Sequence, residues 1–67
     1  MSLRYDKLWK MMKDNKMNKT QLKQAASVSQ YIMSKMKRNE PVPMEVMMKF
    51  CKIFHCDIGD LMEVVEE

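Results

Sequence analysis

Six basic side chains, Lys16, Lys19, Lys23, Lys35, Lys37 and Arg38, fall in a stretch from Asn15 to Asn39 that contains no acid. Within it, Gln30, Tyr31, Ser34 and Lys35 recur at helical spacing and bring an amide, a phenol, a hydroxyl and an ammonium to one side of a helix. Met33 and Met36 take the opposite side. Fixed cations attract phosphate oxygens largely by releasing condensed counterions. Mixed donors and acceptors on a single helix face suit the edges of bases. Two helices with small residues at their joint and one sign of charge outside have the layout that a helix-turn-helix needs to enter a DNA groove.

Local signals set the elements that must hold this face. Asn18 is an N-cap and Gln21, three residues on, can reach back to it, so a second helix is expected from about Lys19 to Ala26. Leu22, Ala25 and Ala26 give it a narrow apolar stripe. Ser27-Val28-Ser29 breaks the pattern, and Ser29 caps a third helix, about Gln30 to Lys37. The helix-turn-helix unit thus covers about residues 18–38. Ahead of it, Tyr5, Leu8, Trp9 and Met12 make an amphipathic first helix, about Arg4 to Asn15. Met17 lies just before the Asn18 cap, placed to pack back on Gln21 or Leu22.

Asn39 tolerates a left-handed C-cap, and Pro41 and Pro43 disfavour helix in the residues before them. A fourth helix carries Met44, Met47, Met48, Cys51 and Phe54, with Val46, Phe50 and Ile53 alongside. So apolar a helix is central or lies at an interface. Asp57, with Asp60 behind it, caps an expected short fifth helix whose apolar side is Leu61, Met62, Val64 and Val65. Glu66-Glu67 is expected to fray.

Sixty-seven residues allow one domain, 1–67, and no enclosed catalytic cleft. One Gly and two Pro leave few turns, which argues for an all-α fold over a sandwich or barrel. Ten Met imply a core partly filled by flexible side chains. The net charge of +3 conceals an asymmetry, because the first 56 residues hold all twelve basic side chains and the last eleven hold five of nine acids. A phosphate-binding body with an acidic far end fits that distribution. No apolar run approaches the ~20 residues of a bilayer span, and the N-terminus lacks a secretory core, so no membrane role is expected and the place is cytoplasmic, with reduced thiols.

The chain resembles the short, single-domain Cro/CI-type (XRE) helix-turn-helix transcriptional regulators. Tyr5-Asp6-Lys7-Leu8-Trp9-Lys10, Asn18-Lys19-Thr20-Gln21-Leu22, Val28-Ser29, Lys37-Arg38-Asn39-Glu40, Cys51, and Cys56-Asp57-Ile58-Gly59-Asp60-Leu61 carry the likeness. It implies a compact five-helix, lambda-repressor-like DNA-binding domain that often dimerises through its C-terminal part. It implies further that Gln30, Tyr31, Ser34 and Lys35 face base edges in the major groove, and that Lys19 and Ser29 lie near the DNA backbone. Many members carry Ala where this chain has Lys23 and Gly where it has Ser27.

The chemistry of these side chains agrees with such roles. Gln30 can pair with adenine, Lys35 suits guanine, Ser34 suits either, and Tyr31 can stack on sugar or meet a thymine methyl. Lys16, Lys19, Lys37 and Arg38 bracket the helix pair as candidates for backbone phosphate contact. A few base contacts per subunit do not select a genomic site alone, so a homodimer on two operator half-sites is expected. The regulator is expected to be a repressor, although no residue here chooses repression over activation. Val64 and Val65 are read first as the dimer interface. Leu61 is a further interface candidate with Phe50 and Phe54, although all three are read first as core.

Other chemistries rank lower. Cys51, His55 and Cys56 give at most three metal ligands where structural zinc takes four, so buried inert thiols and a capping His55 are the better reading and no metal is expected. No phosphate loop, nucleophile-base pair or spaced carboxylate pair is present, which points away from an enzyme and from any cofactor. The rival in another class is a protein-interaction module on the same fold, such as an antitoxin-like partner binder.

Overall fold

In the computed structural model, which describes residues 2–66, the chain enters through a short strand, β1 (Ser2–Arg4), that pairs antiparallel with β2 (Glu63–Val65) near the other end. Between them run α1 (Asp6–Asp14), α2 (Lys19–Ala26), α3 (Gln30–Lys37), α4 (Met44–Phe54) and a 3-10 turn (Ile58–Asp60). Glu67, one half of the expected frayed end, lies outside the described residues.

Among the described residues there are four α-helices, where five are expected from the sequence. The Asp57 cap forms as anticipated: Asp57 N–H donates to Asp60 Oδ2 at 3.0 Å and Ile58 N–H to Asp57 Oδ1 at 2.8 Å. The turn it starts stops after one 3-10 turn. Val64 and Val65 are β-branched and prefer extended backbone, and β1 offers them a partner through the register Ser2↔Val65, Leu3↔Val64, Arg4↔Glu63. Arg4 opposite Glu63 sets unlike charges across the pair. The same pairing takes Arg4 away from α1, which begins at Asp6 and not at Arg4.

A single core joins the elements, with Tyr5, Leu8, Leu22, Met33, Met36, Met47, Phe50 and Leu61 fully buried. Burying each of these is worth roughly 1.5–3 kcal/mol. Leu61 is 0% exposed, so its side chain completes this core and is not available to a second subunit. Its carbonyl accepts from the Leu8 N–H at 3.0 Å, satisfying one of the orphan donors at the start of α1. In α4 the buried residues are Val46, Met47 and Phe50, while Met44 and Met48 point outward. In α2 Leu22 and Ala26 are buried, but Ala25 is exposed, so the expected stripe is narrower by one residue.

Each of the four helices is followed by a residue of left-handed backbone, and none is glycine: Lys16, Ser27, Asn39 and His55 have φ of 58°, 54°, 58° and 53°. Such a conformation costs an L-residue roughly 1–2 kcal/mol, which is offset here by caught carbonyls. Met17, Val28, Glu40 and Cys56 N–H groups donate back to the carbonyls of Met12, Lys23, Lys35 and Cys51 at 3.0, 3.2, 2.9 and 3.1 Å. These are the long return bonds of Schellman caps. They stop each helix sharply and set the angle at which the next one leaves.

Candidate nucleic-acid interface

The pair α2–α3 is anchored at both its starting points. Gln21 N–H donates to Asn18 Oδ1 at 2.7 Å, and Asn18 N–H donates to Gln21 Oε1 at 2.9 Å, a closed capping box. Ser29 Oγ accepts from Ile32 N–H at 3.2 Å. Between these caps the joint is three residues long, Ser27 to Ser29, and the left-handed Ser27 turns the chain. Leu22 and Ala26 from α2 and Met33 and Met36 from α3 are buried, so the outward face of α3 is fixed by what lies beneath it.

That face carries all four of Gln30, Tyr31, Ser34 and Lys35. Gln30 and Tyr31 are exposed, Tyr31 by 67%, while Ser34 and Lys35 are half-buried. The four form two rows one turn long. In one row Gln30 Nε2 donates to Ser34 Oγ at 3.4 Å. In the other, Lys35 Nζ lies 5.6 Å from the centroid of the Tyr31 ring, within cation–π range.

The basic residues flank these rows unequally. Lys19, Thr20, Gln30, Met33 and Lys37 line a shallow cleft of about 70 Å³ between the start of α2 and the face of α3. This is far below the ~300–1,000 Å³ of an ordinary ligand pocket. Lys19 Nζ stands 4.8 Å over the Trp9 ring, which holds the ammonium beside the cleft. Lys16 is exposed in the left-handed turn between α1 and α2. Ser29 uses an oxygen lone pair for its cap and keeps its O–H for an outside acceptor. Arg38 is engaged by its neighbour, for its Nε donates to Glu40 Oε2 at 2.6 Å. That hydrogen bond raises the Arg38 pKa and holds the Glu40 carboxyl below the usual carboxylate range. The acid just past the basic stretch therefore takes up part of its charge.

Residues 7–67 match the Cro/C1-type HTH DNA-binding domain. The chain belongs to that family. A crystal structure of the transcriptional regulator VanUg is similar across 98% of this chain and 88% of its own, with 36% sequence identity and a TM-score of 0.93. No curated protein matches the chain.

Two further residues of this Cro/C1-type domain lie against the candidate face, neither of them marked for it by sequence spacing. Thr20 lines the cleft beside Lys19, and its place directly after the capped Lys19 was the available signal. Lys23 is half-buried at the α2–α3 joint, and its Nζ donates to Gln30 Oε1 at 3.4 Å. Spacing alone does not show this contact, because it joins different helices across the turn.

Val64 is 55% exposed and Val65 half-buried, both on β2 and not on a helix. Cys51 and Cys56 are half-buried free thiols, each pushed up in pKa first by burial and then by neighbouring charge. Raised thiols carry little thiolate at neutral pH and react slowly. His55 takes the left-handed position that ends α4.

Proposed function

We propose that this chain is a sequence-specific double-stranded DNA-binding transcriptional regulator that inserts α3 into the major groove and represses by occupying its operator. The observation that carries this reading is the single outward face of α3, where Gln30, Tyr31, Ser34 and Lys35 stand together, with Lys19 and Lys37 lining the cleft beside Gln30. A major groove ~12 Å wide admits one helix, and the four side chains offer the donors, acceptors and ring that base edges and thymine methyls require. Lys16, Lys19, Ser29, Lys37 and the remaining nitrogens of Arg38 bind backbone phosphates and set the register.

A homodimer reads two half-sites about one helical turn, ~34 Å, apart. Its subunits meet through Val64 and Val65 on β2, and the protein works in the cytoplasm. The likeness to VanUg, itself a transcriptional regulator, and the match to a DNA-binding domain family both favour this reading over catalysis. A second reading, a partner-binding module, is favoured by Met44 and Met48, which lie one turn apart on α4 at 58% and 61% exposure. Selection of bound duplexes from a random pool tests the two together. Enrichment of a two-fold symmetric motif supports the regulator, and a pool that stays random at low salt contradicts it.

A further inference from the structure

A carboxamide reads a base only if its two ends are the right way round. The oxygen and the NH2 of a glutamine are almost the same shape, so an unconstrained Gln30 presents either end to the same base edge. Ser34 does not choose between them, because a hydroxyl both donates and accepts. Lys23 does choose. An ammonium has three donors and no acceptor, so at 3.4 Å from the Gln30 amide it accepts only the oxygen as a neighbour. The opposite orientation sets NH2 against NH3⁺. Lys23 forms no salt bridge among the described residues, so its charge is not diverted from this contact.

We propose that Lys23 is a positioning residue for base readout, locking the Gln30 amide in one orientation across the α2–α3 joint. With one lone pair of Oε1 taken by Lys23 and one N–H of Nε2 directed at Ser34, a lone pair and an N–H remain on an exposed side chain. That remaining acceptor–donor pair matches the N6 amino group and N7 of adenine, and guanine, with acceptors at both O6 and N7, does not satisfy it. The base class assigned to Gln30 is therefore adenine. The inference rests on α3 being the base-reading helix.

The test uses the whole chain with Lys23→Met, which keeps the stem and removes the charge, and Lys23→Arg, which restores a donor-only group. In free protein, the Gln30 side-chain amide proton signals of the parent are expected to shift toward solvent values in Lys23→Met and to return in Lys23→Arg. On a selected duplex, the base pair at which Gln30→Ala loses discrimination marks the contact. There Lys23→Met is expected to lower the preference for adenine over guanine about fivefold, the loss of one net hydrogen bond, with other pairs unchanged and Lys23→Arg recovering it. If Lys23→Met weakens every duplex alike and reduces the salt slope by about one, Lys23 is a phosphate contact and the proposal falls. Unchanged amide signals and unchanged preference also overturn it. If Gln30→Ala itself changes no preference, the base-reading role of α3 fails first and takes the assignment with it.

Discussion

The Tyr5 hydroxyl donates to the Glu40 carbonyl at 2.8 Å, tying the residue just before α1 to the chain as it leaves α3. The two lie 35 positions apart, and Tyr5 is buried to within 1%. This bond braces the C-terminal end of the candidate reading helix against the core. Tyr5→Phe keeps the ring but leaves the carbonyl short of a donor, so a loss of about 1 kcal/mol is expected in urea unfolding. Burial also raises the Tyr5 pKa. The folded state then holds the phenolic proton more tightly than the unfolded chain. Its contribution is full below the unfolded value, ~10, and is lost as pH rises through the folded value. Stability of the parent should therefore fall more steeply above about pH 10 than that of Tyr5→Phe.

Glu40 restrains Arg38. The 2.6 Å bond between them is exposed, so breaking it has little effect on folding. If Arg38 meets a phosphate as proposed, the effect on binding is larger, because a carboxylate beside that guanidinium repels the backbone. Glu40→Gln is expected to tighten non-specific duplex binding several-fold and to steepen its salt dependence toward one further counterion. Titration of a scrambled duplex at two salt concentrations checks this.

Ser27 holds a φ of 54° with a β-carbon in place. Ser27→Gly removes that steric penalty at the joint of the helix pair, less the extra backbone entropy of glycine. A gain of about 0.5–1 kcal/mol is expected, or a rise in Tm of a few degrees for a domain of this size. A lower Tm would mean that Ser27 contributes more at this joint than its strain costs.

Val64 stands out from β2 at 55% exposure without joining the monomer core. Val64→Lys should leave the fold intact and shift sedimentation mass toward the monomer. An unchanged mass would move the subunit contact elsewhere, with the outward Met44 and Met48 on α4 the next place to look.

The helix pair was legible because its signals are local. The Asn18–Gln21 box, the Ser29 cap and the break at Ser27 lie within a few residues of the ends they define, and α2 and α3 have the expected bounds. The C-terminal end was not legible in the same way. Leu61, Met62, Val64 and Val65 fit a short helix as well as a strand, and the decision came from β1, sixty residues away, which no local pattern announces. Leu61, read first as core but kept as an interface candidate, is placed inside by its full burial and by the carbonyl bond to Leu8. Within the candidate site, spacing put Gln30, Tyr31, Ser34 and Lys35 on one face of α3, but the Lys23–Gln30 contact and the capture of Arg38 by Glu40 depend on side-chain reach across a turn.

The central claim is that one face of α3 reads sequence. Fluorescence anisotropy of a selected duplex and its scrambled counterpart, with the parent, Gln30→Ala and Lys35→Ala at two salt concentrations, tests it most directly. Each substitution is expected to cost about 1–3 kcal/mol of preference for the selected duplex, with Lys35→Ala also flattening the salt dependence. Parent-like discrimination in both variants would contradict the account.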